Sequence, residues 1–112
     1  MRSKTVTLLE IKRTIHRQLH DGQLSAATVA AQLHISESYL HRLFKSDNTT
    51  FGRYILASRL EQCRAEMADP RYSHRSISDI AFSWGFNSLN HFSHAFKKQF
   101  GVSPLDFRIG GG

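Results

Sequence analysis

Residues Ser76 to Arg108 read SISDIAFSWGFNSLNHFSHAFKKQFGVSPLDFR, and this stretch decides the fold. Ser76 with Asp79 three places on is a capping-box pattern that starts a helix. Ile80, Ala81 and Trp84 then recur at helical spacing as one apolar face. Gly85 ends that helix, because the residue just past a helix commonly takes a left-handed backbone, which glycine adopts without a Cβ clash. Ser88 caps a second helix that runs to Phe100 and stops at Gly101. On this helix Leu89, Phe92, Phe96 and Phe100 fall on one side. Asn90, His91, His94, Lys97 and Lys98 fall on the other. Two helices joined by a tight glycine turn, the second polar and basic outside, have the layout of a DNA-binding helix-turn-helix.

Working outward, Ser103, Pro104 and Asp106 give an N-cap, a proline at the first helical position and an acid in the first turn, so a short last helix follows Gly101. Gly110-Gly111-Gly112 reads as a loose end, as do residues 1–4. Upstream, Arg71 to Arg75 form a basic loop, and Asp69-Pro70 closes a long helix that begins near Thr50. Phe51, Ile55 or Leu56, Leu60, Cys63 and Met67 line its inner side.

The first 49 residues hold three more helices. The first spans about Thr5 to His20, with Leu8, Ile11, Ile15 and Leu19 inward and Lys12, Arg13 and Arg17 on a solvated face. Asp21-Gly22 breaks it. Ser25 caps the second, in which Val29, Ala30 and Leu33 point inward. After a turn at His34-Ile35, Ser36 caps the third, which buries Tyr39, Leu40, Leu43 and Phe44. Its outer face carries Ser38, His41, Arg42 and Lys45 at i, i+3, i+4 and i+7. Asp47-Asn48 ends it, with Asn48 suited to a left-handed backbone.

The chain repeats itself. Val29-Ala30 aligns with Ile80-Ala81 and Leu33 with Trp84, at an offset of 51. After one extra residue in the second turn, Ser36 aligns with Ser88, Leu40 with Phe92, and Phe44-Lys45 with Phe96-Lys97. One such helix pair is a weak signal. Two in a basic chain, joined by one amphipathic helix, form a much stronger one.

Composition agrees. A chain of 112 residues suits one domain, or two small subdomains sharing a core. Fifteen Lys and Arg against nine Asp and Glu leave a net charge of +6, which favours an anionic partner, either nucleic acid or an acidic membrane surface. No apolar run approaches the roughly 20 residues that span a bilayer, and no signal peptide opens the chain; with DNA as the expected partner, no membrane is expected. Cys63 is the single cysteine, which excludes an internal disulfide and a cysteine zinc site and fits a reducing cytoplasm. The pattern is all-α.

The stretch Ile80-Ala81, Gly85-Phe86, Phe92, Phe96-Lys97-Lys98, Phe100-Gly101, Ser103-Pro104 and Phe107-Arg108 resembles the C-terminal DNA-binding domain of the AraC/XylS family of bacterial transcription regulators. Leu33, Ser36, Leu40, Leu43-Phe44-Lys45, Phe51, Tyr54 and Arg59-Leu60 extend the likeness through the first half. Two departures stand out. Ser46 to Thr50 is one residue short and lacks the usual glycine, and Cys63 replaces a common alanine. The resemblance implies about seven helices in a single domain over residues 1–112. Within it, helix-turn-helix subdomains over 5–49 and 76–108 are joined by a rigid linker helix over 50–68. Family members usually carry a separate sensing domain on the N-terminal side. None lies in these residues, which fits an excised domain or a small stand-alone activator.

The expected contacts with double-stranded DNA are Ser38, His41, Arg42 and Lys45 on the third helix, and Asn90, His91, His94, Lys97 and Lys98 on the sixth. The planar fork of Arg42 fits guanine O6/N7, and Asn90 can pair with adenine. The lysines suit phosphates. The N-termini of helices two, five and seven offer further phosphate seats. Arg59 and Arg108 occupy family positions that serve either the fold or a phosphate. His91 and His94, like His16 and His20, have a metal-compatible spacing but lack further ligands, so no metal and no cofactor are expected. Trp84 reads as core.

The competing reading is a basic helical module whose polar faces meet another protein, for example RNA polymerase. An enzyme finds no support: no Ser/His/Asp or Cys/His constellation, phosphate loop or paired carboxylates occur, and Cys63 falls on a buried face. The domain alone is expected to be monomeric.

Overall fold

The computed structural model describes residues 5–110, and the loose ends expected at 1–4 and Gly111-Gly112 lie outside them. The described residues form seven α-helices and no strand. They are α1 Leu8–His16, α2 Ala26–Gln32, α3 Glu37–Ser46, α4 Phe51–Ala68, α5 Ile77–Ser83, α6 Leu89–Phe100 and α7 Pro104–Ile109, with a 3-10 turn at Pro70–Tyr72. The molecule is elongated, 55 × 25 × 21 Å.

Hydroxyl caps set the helix starts. Ser25, Ser36, Thr50, Ser76, Ser88 and Ser103 each accept the backbone N–H three residues on. Such a cap contributes about 1 kcal/mol. The first helix is shorter than its apolar period suggests. Thr7 and Glu10 close a full capping box, so α1 begins at Leu8 rather than Thr5. It ends at His16 instead of His20. Around that point carbonyls bond to side chains: Gln18 Nε2 donates to Thr14 O in the last turn at 3.1 Å, and past the end Arg59 Nε donates to Leu19 O at 2.8 Å. Leu19 nevertheless stays buried.

Three helices end in the same way. Past α5, Gly85 N–H donates to Phe82 O and Phe86 N–H to Ala81 O, and Gly85 takes φ +93°. Past α2, His34 and Ile35 repeat these bonds, with His34 at φ +57°. Past α3, Asn48 and Thr49 repeat them again, with Asn48 at φ +58°. This double bond is the Schellman motif, which needs a left-handed residue. Asn48 therefore supplies the left-handed residue of this turn without a glycine. Gly101 closes α6 with φ +82°. Gly110, expected to be loose, caps α7 through a bond to Asp106 O.

Two cores follow. Ile11, Ile15, Leu19, Val29, Ala30, Leu40, Phe44, Phe51 and Ile55 make the first. Leu60, Cys63, Met67, Ile80, Ala81, Phe86, Phe92 and Phe96 make the second. α4 serves both, its N-terminal half in one and its C-terminal half in the other. The choice between Ile55 and Leu56 thus has a double answer: Ile55 enters the first core and Leu56 packs against the second. Trp84 packs against both, with its indole N–H buried and unpartnered among the described residues.

Three burial expectations need correction. Tyr39 and Leu43 are half-buried rather than buried. The Tyr39 hydroxyl reaches past the core edge to donate to Val6 O at 2.9 Å. Leu89 is 39% exposed, not part of the aromatic face of α6. Phe86 fills the core at that end, edge-on to Phe92 with ring centroids 5.0 Å apart. The basic loop after Pro70 begins as the 3-10 turn, capped by Asp69, whose carboxylate also pairs with Arg71.

Candidate nucleic-acid interface

Two helix pairs, α2–α3 and α5–α6, each turn on a Schellman motif, and each presents its second helix with one face outward. On α3 the buried stripe is Leu40 and Phe44, which leaves Ser38, His41, Arg42 and Lys45 exposed. Arg42 lies over the Tyr39 ring with its Cζ 5.9 Å from the centroid. That contact orients a planar guanidinium while leaving its edge N–H groups to solvent. His41 Nε2 stands 3.9 Å from a Glu37 carboxylate oxygen, so α3 carries one acid on its outer face.

On α6 the buried stripe is Phe92 and Phe96, and Asn90, His91, His94, Lys97 and Lys98 are all exposed. No Asp or Glu occurs between Leu89 and Phe100. Lys97 and Lys98 sit in the last turn, where cations oppose the negative end of the helix dipole. His91 also rests beside Phe86, ring centroids 6.0 Å apart, at the start of the helix. Each of the nine residues singled out in the sequence is thus exposed, four on one helix and five on the other.

Arg59 and Arg108 serve the fold. Arg59 Nε and Nη2 donate to the Leu19 and Asp21 carbonyls at 2.8 and 2.7 Å. Partial burial lowers its pKa, an effect Asp21 opposes. Arg108 Nη1 and Nη2 donate to the Arg75 and Tyr72 carbonyls at 2.6 and 2.9 Å, tying α7 to the loop before α5. No local pattern revealed these roles, because the partners lie more than thirty residues away.

The starts of α2, α5 and α7 have their first free N–H groups partly taken by the serine caps. His16 Nε2 is engaged with the Tyr54 hydroxyl at 2.7 Å. Among the described residues no three His, Cys, Asp or Glu side chains converge to hold a metal. No helix of the described residues is long and apolar enough to cross a membrane.

A family profile described as "Helix-turn-helix domain" matches residues 29–109. The chain is 33% identical over 101 residues to the transcriptional activator RhrA of Rhizobium meliloti (strain 1021), covering 90% of this chain and 32% of that protein. It is 42% identical over 83 residues to the HTH-type transcriptional activator RhaS of Klebsiella pneumoniae (strain 342), covering 73% of this chain and 29% of that protein. The chain thus spans about a third of the length of these relatives. A crystal structure of a transcriptional regulator described as AraC-type, from Chromobacterium violaceum, superimposes with a TM-score of 0.77 at 26% identity, over 91% of each chain. With two helix-turn-helix units, a shared linker helix and a profile match over most of its length, the chain belongs to the AraC/XylS family of transcription regulators, as its DNA-binding domain.

Proposed function

We propose that this chain binds double-stranded DNA sequence-specifically to regulate transcription in the bacterial cytoplasm, seating α3 and α6 in successive major grooves. The carrying observation is the pair of exposed polar faces, Ser38/His41/Arg42/Lys45 and Asn90/His91/His94/Lys97/Lys98, on the second helices of two helix-turn-helix units. Two reading helices on one face of a duplex stand about 34 Å apart. With about 10 Å for the helices themselves, that fits inside the 55 Å long axis. Arg42 and Asn90 are the base readers, and Lys45, Lys97 and Lys98 neutralise phosphates. Because the two faces differ in sequence, one molecule reads an asymmetric site and needs no second copy.

A second contact, with a protein such as RNA polymerase, draws on one observation. Val102, Leu105 and Ile109 around α7 are 41%, 57% and 75% exposed, an apolar strip that DNA does not use.

Selection of bound sequences from a random duplex pool tests the main reading. The expected winner is an asymmetric bipartite site approaching two turns, bound one to one. A palindrome bound by two molecules, or no enrichment, refutes it.

A further inference from the structure

Most of the arginine guanidiniums inside the helical body are committed. Those of Arg59 and Arg108 hold carbonyls, Arg64 grips Glu61, Arg71 grips Asp69, and Arg75 donates to Asp79 O. Arg53, in the first turn of α4, is, like Arg13 and Arg42, not among them. Its backbone N–H goes to the Thr50 cap, while its exposed guanidinium has no hydrogen-bond or ion-pair partner among the described residues. It stands at the edge of a groove of about 670 Å³ between α4 and α6. Leu56, Ala57, Leu60 and Ala95 form the groove's apolar side, and Arg53, His91, His94 and Lys98 its basic one. No carboxylate lines it.

We propose that this groove seats the sugar–phosphate ridge between the two half-sites, with Arg53 as a phosphate contact on the linker helix. The proposal rests on the reading that α3 and α6 enter successive major grooves. Helices so placed straddle a minor groove that faces the protein, and the walls of a minor groove are phosphate ridges. α4 joins the two units, so a cation on its groove side meets a ridge before it can meet a base. The three reading-helix residues on the groove's basic side, His91, His94 and Lys98, put Arg53 on the DNA side of α4 rather than its back. A guanidinium binds phosphate through two parallel N–H bonds. Arg53 therefore adds affinity without reading sequence.

The test measures binding of the full chain against salt. Arg53→Ala should lower the log–log slope by about 0.9, so a fourfold rise in salt weakens the variant about 3–4-fold less than wild type. The loss at low salt should be the same factor on the selected site and on random duplex. Arg53→Lys should keep the slope, and the melting temperature should not move, since the guanidinium makes no internal bond. Neutral methylphosphonate linkages placed between the half-sites should weaken wild type more than Arg53→Ala. Equal slopes for wild type and Arg53→Ala, or equal sensitivity to the neutral linkages, overturn the proposal. If Lys45→Ala and Lys97→Ala lower the slope and Arg53→Ala does not, the groove assignment fails and the two-helix reading stands. If none of the three alters it, both fail.

Discussion

The Arg59 guanidinium lies against Gly85 so closely that a Cβ there would stand 3.0 Å from its Cζ, Nε and Nη2 atoms. Arg59 also holds the carbonyls that follow α1, so one side chain of α4 touches the end of the first subdomain and the turn of the second. Gly22 completes the joint: a Cβ there would stand 3.2 Å from Asn87 Oδ1 and 3.3 Å from Gly85 O. Asn87 is the extra residue of the second turn. The insertion that breaks the repeat therefore lies where the two halves meet.

Gly85→Ala should destabilise by about 1–3 kcal/mol, the cost of a side chain in the left-handed region, and displace Arg59. His34→Gly, at the equivalent turn, should stay within about 1 kcal/mol of wild type, because relief of strain at φ +57° offsets the extra freedom of an unfolded glycine. Thermal melts of both variants check this. Equal melting temperatures would mean that the joint has room to yield.

The caps, the two turns and the two exposed polar faces were legible because each is written within a few consecutive residues. Ser36 with the stripe Leu40 and Phe44 places α3, and Ser88 with Phe92 and Phe96 places α6. What escaped the sequence depends on partners far along the chain. Arg59 holds the carbonyls that follow α1 from about forty residues away, and Phe86 takes the core position that helical period assigns to Leu89. The division of α4 between two cores was half visible, as the unresolved choice between Ile55 and Leu56. Arg53 escaped because only the approach of α6 turns an ordinary exposed arginine into one side of a groove.

Phe96 is fully buried, with its ring 5.7 Å from Phe92, 4.6 Å from Phe100 and 5.7 Å from Phe107. Phe96→Ala removes the shared neighbour of three aromatic rings and should cost about 3–5 kcal/mol. That is a large share of a small domain's stability. Chemical denaturation gives the value, and a loss below about 1 kcal/mol would show that the rings close over the cavity.

Burial, with Glu66 nearby, pushes the Cys63 thiol up to about 12 from its ordinary 9.0. The folded state thus keeps a proton that the unfolded chain releases above pH 9. Stability is fully held below that pH and should fall as pH rises from 9 towards 12. Cys63→Ala should flatten this alkaline limb. At pH 8 the native thiol should resist alkylation until the protein is unfolded, and rapid native labelling would contradict its burial.

Specificity should divide between the two helices. Arg42 lies on α3 and Asn90 and His94 on α6, in units whose cores share only α4 and Trp84. Each helix reaches a few base pairs, so removing one reading side chain acts locally. Arg42→Ala should relax discrimination in one half of the site by about 1–3 kcal/mol for each base it no longer reads. Asn90→Ala and His94→Ala should leave that half intact and relax the other, about one turn away. The joint at Arg59, Gly85 and Gly22 fixes the distance between the halves, so wild type should reject sites whose spacing differs by a base pair or two. Arg59→Ala should accept them more nearly equally, while each half keeps its own preference. Binding measured base by base and spacer by spacer decides the matter. If Arg42→Ala and Asn90→Ala lose discrimination at the same base pairs, the helices share one groove, and the bipartite reading is wrong.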